Sequence, residues 1–176
     1  MLQMLANLRA RREDERGFTL IELMVVVLII AILIAIAIPT FLGAKTRAQD
    51  KAAQSSLRNA LTNAKGIYTD TDSYVGSTTT ALATAEPSLT FTTGTSTGPK
   101  NVSVASNATA IVMAAKSAGG TCYVIGDVAT GPGTIFAALT SATTCTTSGM
   151  TLPSSATSVS TTNAVAGGSA AWASSW

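Results

Sequence analysis

The chain of 176 residues contains no histidine. The commonest general base, and the commonest metal ligand, is therefore missing. The many serines have no imidazole to activate them, and no phosphate loop or paired carboxylate site is visible. Nothing in the sequence marks a catalytic or metal site, no cofactor is implied, and the expectation is a protein that is not an enzyme. Charge is scarce too: charged residues make up 11% of the chain, and the net charge is +2. So small an excess gives no argument for nucleic acid as a partner. Beyond Pro87 the only charged side chains are Lys100, Lys116 and Asp127. That half is Ser, Thr, Ala and Gly with scattered Val, Ile and Leu, which predicts a thin core that leans on a long helix, a crosslink or neighbouring molecules.

Cysteine is limited to Cys122 and Cys145. Their spacing is not that of a zinc site or a redox pair. If this half lies outside the cytoplasm, one disulfide is the natural reading, and two buried thiols are the alternative.

Against this sparse background stands one apolar block. From Leu23 to Ile38 no residue is polar, and between Phe18 and Ala44 the one charge is Glu22. Residues 18–44 are long enough for a membrane helix, which needs about 20 apolar residues. An acid at the edge of such a segment carries a solvation cost and is a functional candidate. Pro39 and Gly43 near the far end predict a kink or a loosened turn between Ala35 and Gly43.

Residues 1–17 precede the block and end in Glu-Asp-Glu-Arg-Gly. A secretory signal has its apolar core before the cut. Here the apolar core follows the expected cut, so it should survive into the mature chain. Arginines 9, 11, 12 and 16 before the block nearly balance Lys45, Arg47 and Lys51 after it, so charge alone does not orient the helix.

Residues 45–72 continue as an amphipathic helix. Ala53, Leu57, Ala60, Leu61, Ala64, Ile67 and Tyr68 recur at three- and four-residue steps and give one apolar face. Asp70 and Asp72 lie in a run that favours a helix end. Residues 78–87 read as a loop with one helical turn around Leu82. Five short strands follow, at Leu89–Thr93, Val102–Ala105, Thr109–Ala115, Thr121–Val128 and Thr134–Leu139, separated by turn clusters such as Thr97-Gly-Pro99, Ser117-Ala-Gly-Gly120 and Gly131-Pro-Gly133, a spacing that suits an antiparallel meander. Residues 73–145 thus form a β-rich head. Residues 146–176 form a low-complexity tail, mostly mobile by composition. Trp172 and Trp176 are out of place in such a tail: they either dock on the head or a neighbour, or stand exposed. Asn101-Val-Ser103 and Asn107-Ala-Thr109 fit the N-glycosylation pattern, but a Thr/Ser-rich chain produces such matches by chance.

The run Arg16-Gly17-Phe18-Thr19-Leu20-Ile21-Glu22-Leu23 resembles the processing site of type IV prepilins and type II secretion pseudopilins, and Pro39 falls where that family commonly has proline. The resemblance extends over roughly residues 16–60. It implies an α+β fold, with a long bent N-terminal helix on a small antiparallel sheet. It implies cleavage between Gly17 and Phe18 by a prepilin peptidase, which would also methylate the new amine of Phe18. It gives Glu22 a role in assembly, meeting the amine of an adjacent subunit. The partners implied are the peptidase, other pilin subunits in a helical homopolymer, an assembly ATPase and membrane platform, and the lipid bilayer before assembly. Localisation would be the cell membrane as a single-pass monomer, then an extracellular filament. Major pseudopilins typically carry a calcium site in the C-terminal half, where this chain offers Asp127 alone, so a type IV pilus subunit is favoured over a secretion pseudopilin. The rival from another class is a non-polymerising single-span protein with an extracellular binding domain.

Overall fold

The structure, a computed structural model, describes residues 17–131, 133–140, 144–148, 150, 164–165, 168–169 and 172–176. The expected leader, apart from Gly17, and the expected mobility of residues 151–163 lie outside the described residues. The chain forms two compact units, residues 1–43 and 44–176.

A single helix, α1 (Leu20–Thr71), supplies the apolar segment of the first unit and continues into the second. In the first unit every described residue up to Leu42 is exposed. Leu20 to Leu42 would extend about 34 Å at 1.5 Å per residue, enough for a hydrocarbon core of about 30 Å. α1 is long and apolar enough to cross a membrane, and none of its apolar window is buried.

In the second unit the same helix becomes one-sided. Ala53, Leu57, Ala60, Leu61 and Ala64 are buried, with Ile67 and Tyr68 partly buried behind them, the face its periodicity predicts. Burying a side chain such as Leu57 contributes about 1.5–3 kcal/mol. α1 ends where Asp72 turns into the left-handed region at φ 54° and its N–H donates to Tyr68 O at 2.7 Å. Asp is among the residues that tolerate this conformation at a helix end.

A short 3-10 turn (Tyr74–Gly76) and a second helix, α2 (Thr79–Ala85), follow. The Thr78 hydroxyl caps α2 by accepting from Ala81 N–H at 3.2 Å, and Leu82 on it is fully buried. Where one turn was expected around Leu82, the cap supports a full short helix.

Five strands form one sheet in sequential order: β1 (Thr90–Thr92), β2 (Asn101–Ser106), β3 (Ala110–Lys116), β4 (Cys122–Val128) and β5 (Gly133–Leu139). The antiparallel meander holds from β2 to β5. β1 corrects it: this strand runs parallel to β2, Phe91 opposite Val102, and the sheet is mixed. The reason lies in buried Ser96, whose hydroxyl donates to Asn101 O at 2.5 Å and accepts from Lys116 N–H at 2.9 Å. Pinned across the sheet end, the chain re-enters β2 in the direction of β1 instead of folding back as a hairpin. Gly120 in the β3–β4 turn and Gly133 at the start of β5 have φ 97° and 75°, a region glycine enters without steric cost. The β2–β3 turn has no glycine or proline and is held by Asn107 Oδ1, which accepts from Thr109 and Ala110 N–H at 2.9 and 2.7 Å.

Side chains alternate across the sheet. Ile111, Met113, Ala115, Tyr123 and Ile125 join the α1 stripe in one core. Val112, Ala114, Val124, Ala137 and Leu139 build a second core on the other face, under Cys145, Met150 and Trp172. Both faces being covered, β3 and β4 read as nearly unbroken apolar runs. Thr146 and Thr147 are buried as well; the Thr147 backbone N–H donates to Ser103 Oγ at 3.0 Å. A two-stranded pair, β6 (Ala164–Val165) with β7 (Gly168–Ser169), lies in the tail.

Candidate processing and assembly site

The start of α1 is built from two residues three apart. The Thr19 hydroxyl accepts from Glu22 N–H at 3.2 Å and donates to Glu22 Oε2 at 3.1 Å. The Thr19 backbone N–H donates to the same Oε2 at 3.2 Å. This is a capping box: the side chains at the two ends of the first turn satisfy each other's backbone N–H groups. It turns the Glu22 carboxylate back along the chain toward Phe18. The Thr-x-x-Glu spacing from Thr19 to Glu22 is a sequence signature of such a helix start, a local partner for Glu22 beside the intersubunit one that the resemblance implies.

Gly17 and Phe18 precede the helix, and Phe18 is 86% exposed. Among the described residues, a side chain built on Gly17 would meet nothing within 4 Å, so nothing in the described fold asks for glycine there. A peptide bond in this exposed stretch ahead of the helix is open to a protease.

Further along, the helical backbone continues through Pro39 and Gly43. Proline cannot donate to Ala35 O. Beside that gap the Thr40 hydroxyl donates to Ala37 O at 2.9 Å and Ile36 O at 3.3 Å, which offsets part of the loss.

In the second unit, Cys122 and Cys145 are joined by a disulfide with Cα atoms 5.4 Å apart. It ties the start of β4 to the segment that covers the second core, and the alternative of two thiols is set aside. Trp172 and Trp176 dock on the head. Trp176 Nε1 donates to Ala137 O at 2.9 Å, and its ring meets Phe136 and Tyr123 edge-on at 4.7 and 5.8 Å.

A buried polar cluster lies between α1 and the sheet. Asp127 Oδ1 is 2.7 Å from Lys65 Nζ and accepts from Thr134 Oγ1 at 2.8 Å, while Oδ2 accepts from the Tyr74 hydroxyl at 2.5 Å. Burial alone would raise the Asp127 pKa, but the hydrogen bonds from Lys65, Tyr74 and Thr134 and the Lys65 charge hold it below the usual carboxylate range. Burial, then the hydrogen bond and charge of Asp127, push the Tyr74 phenol upward. The sequence offered no signal for this cluster, because its members are scattered from residue 65 to residue 134.

Residues 13–38 match the prokaryotic N-terminal methylation motif, the hallmark of type IV pilin and pseudopilin leaders. The chain carries a prepilin-type methylation motif. The matched stretch contains the capping box, the exposed Gly17–Phe18 bond and most of the apolar helix; the head lies outside it. No curated protein and no solved structure matches the chain. The prepilin-type motif belongs to structural, pilin-type proteins and implies processing by a prepilin peptidase and assembly with other pilin subunits. With the exposed apolar helix behind it, it indicates anchoring in a membrane.

Proposed function

We propose that this chain is the structural subunit of a type IV pilus-like filament. It sits in the membrane as a monomer, loses residues 1–17, is methylated on Phe18, and packs by its apolar helix into a helical homopolymer outside the cell. An assembly ATPase and a membrane platform drive the step. Head-to-tail contacts that do not close give an open filament.

One observation carries the reading. From Leu20 to Leu42 every large apolar side chain on α1 is exposed, directly behind a methylation motif. Apolar surface of that extent marks an interaction with lipid or with other chains. A bilayer covers it before assembly, and neighbouring helices cover it afterwards.

The capping box refines the part Glu22 plays. Cutting after Gly17 creates a cationic amine on Phe18, next to the Thr19 N–H that already bonds Glu22 Oε2. In low dielectric an amine and a carboxylate attract strongly, although desolvation offsets part of the gain. Each subunit can neutralise its own amine while solitary and exchange that contact for a neighbour's amine in the filament. The local bonds to Thr19 mean that assembly relieves less than the full cost of an unpaired buried acid. Around Pro39, the missing backbone bond at Ala35 makes residues 35–43 the place where the helix loosens on assembly.

Among carboxylates beyond Glu86, Asp127 is the only one in the chain, and its two oxygens are engaged by Lys65, Thr134 and Tyr74. This favours a pilus subunit over a pseudopilin that holds calcium in that half. The deciding measurement is mass spectrometry of filaments sheared from cells. The expected species begins at N-methylated Phe18 and is lighter by two hydrogens at Cys122–Cys145. Full-length chain found only in the membrane, with Met1 still attached, would overturn the proposal.

A further inference from the structure

The head is electrically polarised along its strands, and the polarity is invisible in the linear sequence. After Gly17 the chain has seven Lys and Arg residues. Three of them, Lys45, Arg47 and Lys51, are exposed on the first two turns of α1 inside the second unit. The fold brings Lys100 and Lys116 to the same end. The β3–β4 turn that follows Lys116 is fastened to those turns of α1, Ser117 Oγ donating to Asp50 Oδ1 at 2.5 Å. A Cβ on Gly119 in that turn would come within 3.1 Å of Thr46 Cγ2. The start of β2, which follows Lys100, is held to Lys116 through the buried Ser96 hydroxyl. Five cations thus share this end of the unit with one acid, Asp50.

The other end of β3 carries the opposite sign. There the β2–β3 turn meets the end of α1, Tyr74 N–H donating to Ala108 O at 3.2 Å. The charges at that end are the exposed Asp70 and Asp72, with Lys65 paired to Asp127 and so neutralised there. The two ends are about 20 Å apart at 3.3 Å per strand residue, beyond the screening length of about 8 Å at physiological ionic strength. Each therefore acts on its surroundings by itself.

The basic end is also the end at which the chain enters the unit, at Ala44, two residues after the last bulky apolar residue of the exposed segment, Leu42. We infer that this end is a docking surface for anionic phospholipid. While the apolar helix is inserted, Lys45, Arg47 and Lys51 stand at headgroup depth, and Lys100 and Lys116 extend the cationic face onto the sheet. Basic residues just outside a span are attracted to anionic lipid phosphates within about a Debye length. The aspartates at the far end are repelled, so the charge pattern selects one face of the head for the membrane. The inference rests on the membrane-inserted state of the proposed function.

The test uses the full chain in nanodiscs of phosphatidylcholine, with or without about 30% phosphatidylglycerol, read by amide hydrogen exchange. On anionic discs, amides of Thr97–Asn101 and Ser117–Gly120 should exchange several-fold more slowly than on neutral discs. Those of the β2–β3 turn should not change. The protection should vanish in K100E/K116E and at about 0.5 M salt, where the Debye length falls to a few ångströms, and persist in K100R/K116R. Unchanged exchange of the β4 amides in each variant certifies the fold. Equal exchange on both discs, or protection that survives charge reversal, overturns the inference and leaves the filament reading intact. Protection on neutral discs that grows with copies per disc overturns it too, assigning the basic end to a second copy of this chain. A chain that inserts in neither disc defeats both readings.

Discussion

Lys65 Nζ lies 2.7 Å from Asp127 Oδ1, joining the amphipathic half of the long helix to the fourth strand of the sheet. The lysine side chain is 46% exposed and the aspartate 6%, so water screens one partner and scarcely reaches the other. Removing the lysine charge leaves a buried carboxylate with Tyr74 and Thr134 alone. Lys65→Met should lower the stability of the head by about 1–3 kcal/mol, within the range for unsatisfied buried groups. Thermal melting of the variant at neutral pH measures it.

The same contact makes the head sensitive to acid. The folded pKa of Asp127 is depressed, so its contribution is present above the unfolded value of about 3.9. It is lost as pH falls from there through the lower folded value, because the unfolded chain binds the proton first. Asp127→Asn should lower stability at pH 7 and flatten its decline below about pH 4. Melting curves of both proteins from pH 7 to pH 2 test this; parallel curves would remove Asp127 as the group responsible.

The disulfide closes a loop with a sequence separation of 23 and holds the cover of the second core in place. A crosslink over a loop of this length stabilises by about 3 kcal/mol, chiefly through the unfolded chain. Cys122→Ser with Cys145→Ser should therefore melt well below the parent, and reduction of the parent should reproduce the loss. The first amides to lose protection should be those of Cys145 to Ser148, whose bonds to Gly94, Ser96 and Ser103 depend on that tether.

Much of this architecture can be read in the chain, for reasons that differ by element. The α1 stripe from Ala53 to Tyr68 is legible because helix period and burial coincide. Strands β2 to β5 are legible because both sheet faces are covered and glycine-containing clusters mark the β3–β4 and β4–β5 turns, while Asn107 alone marks the β2–β3 turn. β1 misleads because its direction depends on Ser96, a hydroxyl that local pattern does not distinguish from dozens of others. The Asp127 cluster and the gathering of Lys100 and Lys116 beside Lys45 are products of tertiary pairing, with no local trace. At the site itself the processing motif is plain, while the bond from Glu22 to Thr19 is written in a three-residue spacing eclipsed by the apolar run behind it.

Gly17 separates a requirement of processing from a requirement of the fold. A side chain there meets no atom of the described residues within 4 Å, so Gly17→Val should leave the helix, the head and membrane insertion unchanged. Glycine lets the backbone approach a protease's carboxylates closely, and valine should block the cut. Immunoblots of cells with the peptidase should show only the precursor. Mature-sized protein from this variant would mean that the bond is cut elsewhere or that glycine is dispensable.

Thr19 and Glu22 can be separated by two substitutions, because one acts on the helix start and the other also on the charge. Thr19→Val removes the hydroxyl cap and should cost the first turn about 1 kcal/mol, yet it keeps the carboxylate that an adjacent amine would meet. Glu22→Ala removes both the returning carboxylate and the charge. Both variants should insert and be cleaved, as judged by membrane fractionation and the mass of the mature chain. Filament yield should fall modestly for Thr19→Val and by an order of magnitude or more for Glu22→Ala, since only the second leaves the neighbour's amine without a counter-charge in low dielectric. Glu22→Gln sharpens the comparison: the amide oxygen can still accept from Thr19 N–H, but it carries no charge. Wild-type yield from Glu22→Gln would show that the capping box, and not the ion pair, is what assembly requires.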